Sequence, residues 1–447
     1  MDLGRRLCYA APMSRETPKR FYLHTLGCKV NQYESRALAE AWTQAGLVPT
    51  DTPADADLIV LCTCTVTARG ESESRRLTRR YVREAAPGAT VVITGCAAAV
   101  APQVFTNLGA VAVPDKAALA RFPFDPPTAP ADAAFPDLAV TGHDRARALV
   151  KIQDGCSHGC AFCIVPSARG PSRSRAVADI LDEATRLVAA GHGELGLTGI
   201  NLGHFGRDLT PRMTLWTLVA RLEEALADRP AARVRLRLGS LDPSALTEEG
   251  LDVLSRSRLV CPHLHISLQS ADPDVLAAMG RRAGDARAVS FFVDGVRRFW
   301  PRFGLGLDLM TGFPGETEDA FAVTADFVAT MPVTHAHVFP YSRRPGTRAA
   351  AMPGQLPLEV KTRRAAALRE IAGQKADRFR QSLADAHAPV VVALEGLPPA
   401  HGTNEYYTDC RMTTAPRARV GALVAGRAVG QDQGVLLVAP ENEADAV

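Results

Sequence analysis

Gly155-Cys156-Ser157-His158-Gly159-Cys160-Ala161-Phe162-Cys163 decides how the rest of the chain is read. Three thiols fall within eight residues, directly after an apolar strand-like run at residues 148–153. Thiolates at Cys-x3-Cys-x2-Cys spacing can hold three irons of a 4Fe-4S cube and leave the fourth iron open, whereas closed electron-transfer clusters use four cysteines. An open iron requires a ligand from outside the protein. The rival assignment is zinc, which wants a fourth protein ligand; His158 is the candidate inside the loop.

Around and beyond this loop, β-like runs alternate with amphipathic helices at residues 148–153, 179–190, 194–198, 215–227, 233–238, 263–268, 304–310 and 317–331. That alternation predicts a βα barrel or partial barrel. A long charged helix is expected at 358–384, followed by a glycine-containing, strand-rich tail at 390–438 that fits a small all-β module. Upstream, residues 21–26, 57–61 and 90–94 read as strands, with a helix expected at 34–45. Each strand delivers cysteine to its C-terminal end: Cys28, Cys62 with Cys64, and Cys96. In an open parallel sheet those ends line one crevice, where such folds bind ligands, so Cys28, Cys64 and Cys96 can meet despite their separation. The expected fold class is α/β: an N-terminal open parallel sheet domain, a central partial βα barrel and a small C-terminal all-β barrel.

With 447 residues the chain exceeds a single core, since cores stop growing near ~250 residues. Residues 121–140 are rich in Pro, Ala and Asp and suit an interdomain connection. The expected division is a disordered leader at 1–20, an N-terminal domain at 21–125, a linker at 126–144, the barrel at 145–384 and the β module at 385–447. An apolar content of 47% with 22% charged residues is that of a globular protein, and no apolar run is long enough to span a bilayer. The leader lacks the continuous apolar region of a secretion signal, and Met13 is an alternative start. Ten cysteines without an export signal point to reduced thiols in a cytoplasmic protein. A net charge of +3 does not by itself announce a nucleic-acid binder.

The cysteine loop resembles that of the radical S-adenosylmethionine (SAM) superfamily, with Phe162 matching the aromatic usual before the third cysteine. Thr25-Leu26-Gly27-Cys28-Lys29-Val30-Asn31-Gln32-Tyr33-Glu34-Ser35, Thr63-Cys64-Thr65-Val66-Thr67 and Thr94-Gly95-Cys96 resemble the three N-terminal motifs of the methylthiotransferase family. The tail, with Gly402-Thr403-Asn404-Glu405-Tyr406-Tyr407, resembles that family's TRAM domain, so the likeness covers nearly the whole chain from Phe21 onward. It implies a 4Fe-4S cluster on Cys156, Cys160 and Cys163 whose open iron chelates SAM, and a second 4Fe-4S cluster on Cys28, Cys64 and Cys96 that handles sulfur. It further implies that SAM is cleaved to a radical that takes hydrogen from an unreactive C–H bond, that sulfur is attached, and that a second SAM supplies the methyl group. These six cysteines are the catalytic and metal-binding candidates. Cys8, Cys62, Cys261 and Cys410 are assigned as ordinary thiols, although Cys62 stands where the family usually has Asn and is a rival ligand to Cys64.

The same resemblance implies SAM contacts from Phe162, Gly199, Asn201, Ser267, Gln269 and Gly312. Gly239-Ser240-Leu241-Asp242-Pro243 departs from the family's Ser-Ser-Ile-Glu-Pro, and Ser270-Ala271-Asp272-Pro273 from its Ser-Gly-Ser. Candidate RNA surfaces are Arg76, Arg79 and Arg80 on a helical run, Arg173 and Arg175 with Arg169 after the loop, and the alternating Arg233, Arg235 and Arg237. The Gly-Cys-Lys-Val-Asn-Gln-Tyr-Glu form of the first motif resembles the branch that methylthiolates C2 of N6-threonylcarbamoyladenosine at tRNA position 37. The alternatives are the branches acting on isopentenyladenosine or on a ribosomal protein aspartate and, from a different class, a noncatalytic metal-stabilised RNA-binding protein. The implied partners are tRNA, an electron donor such as a flavodoxin or ferredoxin, and a sulfur donor, with no membrane.

Overall fold

The computed structural model of the chain describes residues 20–121, 140–142, 146–227, 234–281 and 284–441. Cys8, Arg233 and most of the expected leader and linker lie outside the described residues. The chain forms two compact units, the first running up to Val140 and including Ile164–Gly170, the second comprising Thr141–Cys163 and everything from Pro171.

The first unit carries β1 (Arg20–Thr25), β2 (Val48–Pro49), β3 (Leu58–Thr63), β4 (Thr90–Gly95) and β5 (Val111–Ala112) in the parallel order β2-β1-β3-β4-β5. A central parallel strand flanked by helices must be apolar on both faces. β3 satisfies this: Leu58, Val60 and Cys62 pack with Leu38 and Trp42 of α1 (Lys29–Gln44), while Ile59 and Leu61 pack with Leu77 and Tyr81 of α2 (Ala68–Glu84). α1 begins five residues earlier than expected, because Cys28 caps it without a side-chain hydrogen bond and its first turn has no acidic residue. The usual start signals are therefore missing. α2 has a conventional cap, Thr67 Oγ1 accepting the Gly70 N–H at 3.1 Å. The short helices α3 (Cys96–Val100), α4 (Pro102–Thr106), α5 (Lys116–Arg121) and α6 (Val165–Arg169) complete the unit.

The second unit opens with β6 (Arg147–Lys151), the antiparallel pair β7 (Gln153–Asp154) and β8 (Arg173–Ser174), and α7 (Val177–Ala189). β9 (Glu194–Thr198) lies between β6 and β10 (Arg235–Leu238), all parallel. A second parallel trio follows, β11 (His263–Gln269), β12 (Gly304–Thr311) and β13 (His335–Pro340). Bridges Leu236–Val260 and Leu241–Ile266 join the trios into a six-stranded partial barrel. Alternation along each strand sorts the side chains. Leu195, Leu197, Leu236, Leu264, Ile266, Leu305 and Leu307 meet the surrounding helices in one large apolar core with Leu187, Trp216 and Phe292. The other face is polar and includes Lys151, Glu194, Arg235, Arg237, His265 and Asp308.

The long helix Leu358–Asp385 leads into a closed five-stranded barrel, β14 (Pro389–Gly396), β15 (His401–Asn404), β16 (Asp409–Met412), β17 (Leu423–Asp432) and β18 (Val435–Pro440). This barrel is seated on the N-terminal ends of the βα strands. Arg235 donates to the carbonyls of Val391 and Thr403 at 2.6 and 3.0 Å, and Arg237 to those of Glu405 and Asn404 at 3.0 and 2.8 Å. Both arginines also pair with fully buried Glu194. The alternating arginines read from sequence as an RNA surface are thus, for Arg235 and Arg237, an internal ion network, which corrects that expectation.

Two candidate cysteine centres

In the first unit, Cys28, Cys64 and Cys96 follow the C-terminal ends of β1, β3 and β4. Gly27 has φ +94°, and a Cβ there would lie 3.1 Å from Cys64 Sγ, so only glycine lets the backbone beside Cys28 come this close. Burial pushes the Cys64 thiol up, and the charges of Cys96 and Cys28 add to that while a backbone hydrogen bond from Val66 opposes it. Asn31 clasps the strand ends: its amide donates to the carbonyls of Leu26 and Thr63 at 2.8 and 3.0 Å. Its Oδ1 accepts from Lys116 Nζ at 2.9 Å and Arg169 Nη2 at 2.7 Å. Glu34 pairs with Lys116 and accepts from Arg169 at 2.9 and 3.0 Å. Arg169 Nε in turn donates to Cys96 Sγ at 3.3 Å.

The latter half of the first motif therefore builds the frame around the cysteines. Sequence reasoning missed Asn31, Glu34 and Lys116 and assigned Arg169 to RNA; the available signal was the three-residue spacing of Cys28, Asn31 and Glu34 along one helix face. Cys62 is not part of this centre. It has no exposed surface, sits in the apolar core against α1 and accepts a hydrogen bond from Ser35 Oγ at 3.0 Å.

In the second unit, β7 and β8 pair Asp154 with Arg173, so the chain leaves for the cysteine loop and returns from it at one point. Lys151 Nζ holds Asp154 at 2.7 Å, and the other carboxylate oxygen accepts the Gly155 N–H at 2.7 Å. Cys156 Sγ accepts the His158 N–H at 3.5 Å. Burial pushes the Cys160 thiol up while Arg281, whose Nη1 is 3.8 Å from Sγ, opposes it. Arg281 also donates to Asp242 at 2.7 Å and to the Ser267 carbonyl at 2.5 Å, linking the loop to two strand ends. His158, the candidate fourth zinc ligand, instead stacks on His204 at 5.2 Å and lies 3.4 Å from the Asn201 amide.

The residues expected to touch SAM are distributed along the same strand ends. Gly199 packs closely on Gln153, a Cβ there lying 3.1 Å from the Gln153 carbonyl oxygen. Asn201 caps the turn after β9 by accepting the Gly203 N–H at 3.1 Å. Ser267 donates to Asp308 at 3.1 Å, Phe162 meets Phe313 edge-on at 6.5 Å, and Gly312 has φ +69°. Gln269 ends β11 at φ +75°, and its buried Oε1 has no hydrogen-bond partner among the described residues. Such an orphaned acceptor fits a ligand bearing hydroxyl or amino groups. A cavity of about 400 Å³ adjoins the loop, lined by Ser157, His158, His204, Arg207 and Ser244 among others. Burial holds His204 down at about 4, so its imidazole is uncharged at neutral pH.

Of the RNA candidates, Arg76, Arg79 and Arg80 lie on the exposed side of α2, opposite buried Leu77, Thr78 and Tyr81. Arg76 and Arg80 pair there with Glu73 and Glu84 at 2.6 and 2.8 Å. Arg173 is half-buried on β8. Arg175 is buried and paired with Glu183 at 2.8 Å, which removes it from any RNA-facing surface and corrects that assignment.

Residues 20–113 match the family described as Uncharacterized protein family UPF0004, and residues 150–328 match the Radical SAM superfamily. The chain is 35% identical over 374 residues to a threonylcarbamoyladenosine tRNA methylthiotransferase of Bacillus subtilis, covering 80% of this chain and 81% of that protein. It is 34% identical over 406 residues to a tRNA-2-methylthio-N6-dimethylallyladenosine synthase of Nitratidesulfovibrio vulgaris, covering 85% and 87% of the two chains. A solved radical SAM methyltransferase from Kitasatospora setae, TsrM, shares the fold at a TM-score of 0.53 with 17% identity, over 75% of this chain and 77% of that one. Among the described residues no helix is long and apolar enough to cross a membrane. With its matched domains and likenesses that cover four fifths or more of each chain, the chain belongs to the radical SAM methylthiotransferase family and is an enzyme of that kind.

Proposed function

We propose that this enzyme methylthiolates C2 of N6-threonylcarbamoyladenosine at position 37 of tRNA. The observation that carries the reading is the first motif, Gly27-Cys28-Lys29-Val30-Asn31-Gln32-Tyr33-Glu34, in the form of the threonylcarbamoyladenosine branch. The likeness to the Bacillus subtilis enzyme named for that substrate supports it over 81% of that protein's length.

In this reading Cys156, Cys160 and Cys163 hold the SAM-binding 4Fe-4S cluster, and Cys28, Cys64 and Cys96 hold the second. When bound, these groups supply reductive cleavage of SAM and the sulfur to be inserted. The donor sets fit: each is a trio of thiols with an arginine N–H directed at one sulfur. The protein's own contribution is placement. Gln269 offers SAM its Oε1, which has no partner among the described residues, Ser267 and Asn201 line the same strand ends, Phe162 forms an apolar wall, and Gly199 and Gly312 keep the backbone narrow. Arg76, Arg79, Arg80 and Arg173 meet tRNA phosphates, and the C-terminal β barrel is a TRAM module assisting them. The domains run 21–125, 145–384 and 385–447, the protein works in the cytoplasm, and electrons and replacement sulfur come from a flavodoxin or ferredoxin and a sulfur donor.

Mass spectrometry of tRNA nucleosides from cells with and without the gene tests the reading. Loss of 2-methylthio-N6-threonylcarbamoyladenosine, restored by the intact gene and not by a Cys160→Ala copy, is expected. Unchanged levels of that nucleoside alongside loss of the methylthiolated dimethylallyl nucleoside would reassign the substrate.

A further inference from the structure

Resting on the reading of a second cluster at Cys28, Cys64 and Cys96, we propose that Arg169 is a positioning residue for that cluster. Its Nε–H bond to Cys96 and the shared charge of Arg169, Lys116 and Glu34 provide the counter-charge that retains the cluster and raises its reduction potential.

Lys116 and Glu34 are buried and the side chain of Arg169 is only 7% exposed, and Asn31 binds both cations through one oxygen. Two cations and one carboxylate leave the trio with a net positive charge. Burial alone would favour discharging Lys116, yet Glu34 outweighs it and holds the ammonium above its ordinary value. A buried positive charge is strongly unfavourable unless an anion is near. The Arg169 Nε–H is directed at the sulfur of Cys96 at 3.3 Å, so a thiolate held there is met by a guanidinium donor. Three thiolates around a 4Fe-4S core in its oxidised, dipositive state total one negative charge, which the trio matches. Reduction adds a second negative charge beside the guanidinium, and hydrogen bonds to cluster sulfurs stabilise the reduced form. The position of Arg169, six residues after Cys163 in sequence, means that the segment following one cysteine loop supplies the counter-charge at the other centre.

The test uses the full chain with Cys156, Cys160 and Cys163 all changed to Ala, reconstituted anaerobically with iron and sulfide, so that only the second centre loads. Iron and sulfide per chain are measured first; a parent that binds neither defeats the second-cluster reading itself, before Arg169 is tested. EPR-monitored redox titration then compares Arg169→Gln, Arg169→Lys and Lys116→Gln. The expected result is at least a tenfold weakening of reduction in Arg169→Gln, about 59 mV for one electron, with a smaller shift in Arg169→Lys, which keeps charge but loses the Nε donor. Failure of Arg169→Gln to load iron while Arg169→Lys loads also supports the counter-charge. Full loading with an unchanged midpoint in Arg169→Gln overturns the proposal. If neither Arg169 variant loads, Lys116→Gln decides it, a lowered midpoint supporting the counter-charge and an unchanged one refuting it.

Discussion

Glu194, with no exposed surface, accepts the Nε–H of Arg237 at 2.6 Å from the neighbouring strand, and Arg235 and Arg147 converge on the same carboxylate. Burial pushes the Glu194 carboxyl up, but the three arginines outweigh it and hold it well below the usual range. Glu194→Gln leaves buried guanidiniums without their anion and is expected to cost roughly 3–5 kcal/mol in denaturant unfolding. The stabilisation is present above the ordinary carboxyl value of 4.5 and fades as pH falls below it toward the depressed native value, so the variant should show a flatter acid limb. Equal stability of variant and parent at pH 7 would show that the network contributes nothing net.

Gly95 combines φ +87° with a site where a Cβ would lie 2.6 Å from the Thr63 carbonyl oxygen. Gly95→Ala should therefore cost about 1–3 kcal/mol through strain at the residue preceding Cys96. Iron bound at the first-unit cysteines should fall, while SAM cleavage at the other centre persists. Iron analysis and 5′-deoxyadenosine assays on the same preparation check this, and full iron occupancy would contradict it.

His335 sits on the barrel's polar face, its Nε2 3.0 Å from His265 Nδ1. Burial, reinforced by His265 and His337, lowers it to about 3 from 6.5. A base depressed in the native state stabilises the fold above its unfolded value and loses that contribution as pH falls from 6.5 toward about 3. Thermal melts across this window should steepen toward ~1.4 kcal/mol per pH unit for the one proton involved, and His335→Gln should remove that slope.

Arg76, Arg79 and Arg80 share the exposed side of α2. Changing all three to Glu should weaken tRNA binding and reduce the slope of log affinity against log salt by about 0.7–0.9 for each phosphate that is no longer neutralised. Filter binding between low and moderate salt measures it. An unchanged slope would move the RNA interface elsewhere.

Much of this architecture was legible because local signals agreed with global ones. The 194–198 strand coincides with β9, and the long helix and the glycine-marked tail lie within a residue or two of expectation. The helix over Glu248–Arg256 and strand β13 went unread. β13, His335–Pro340, alternates histidines with apolar residues and ends in proline, so composition hides a strand whose polar side faces an equally polar neighbour. The six cysteines were prominent because three fall within eight residues and the other three each follow a strand-like run. Lys116 and Arg169 were not, since a lysine after an aspartate and an arginine before a glycine look like surface residues until a remote carboxylate, Glu34, is folded against them. Arg175 and Arg237 taught the converse: arginines at regular spacing are equally compatible with a charged interior.

Tyr407 lies against His263 and His335 at 4.9 and 5.2 Å and beneath Arg147 and Arg237; His263, His335 and Arg147 each begin their strand. The Tyr406 carbonyl closes on Gly304 so tightly that a methyl group there would collide with it. The small C-terminal barrel is thus a stopper in the bottom of the larger one. A bulky guest therefore meets a floor made of Tyr406 and Tyr407 at the ends where His263, His335 and Arg147 begin their strands, the opposite end of those strands from the cysteine loop.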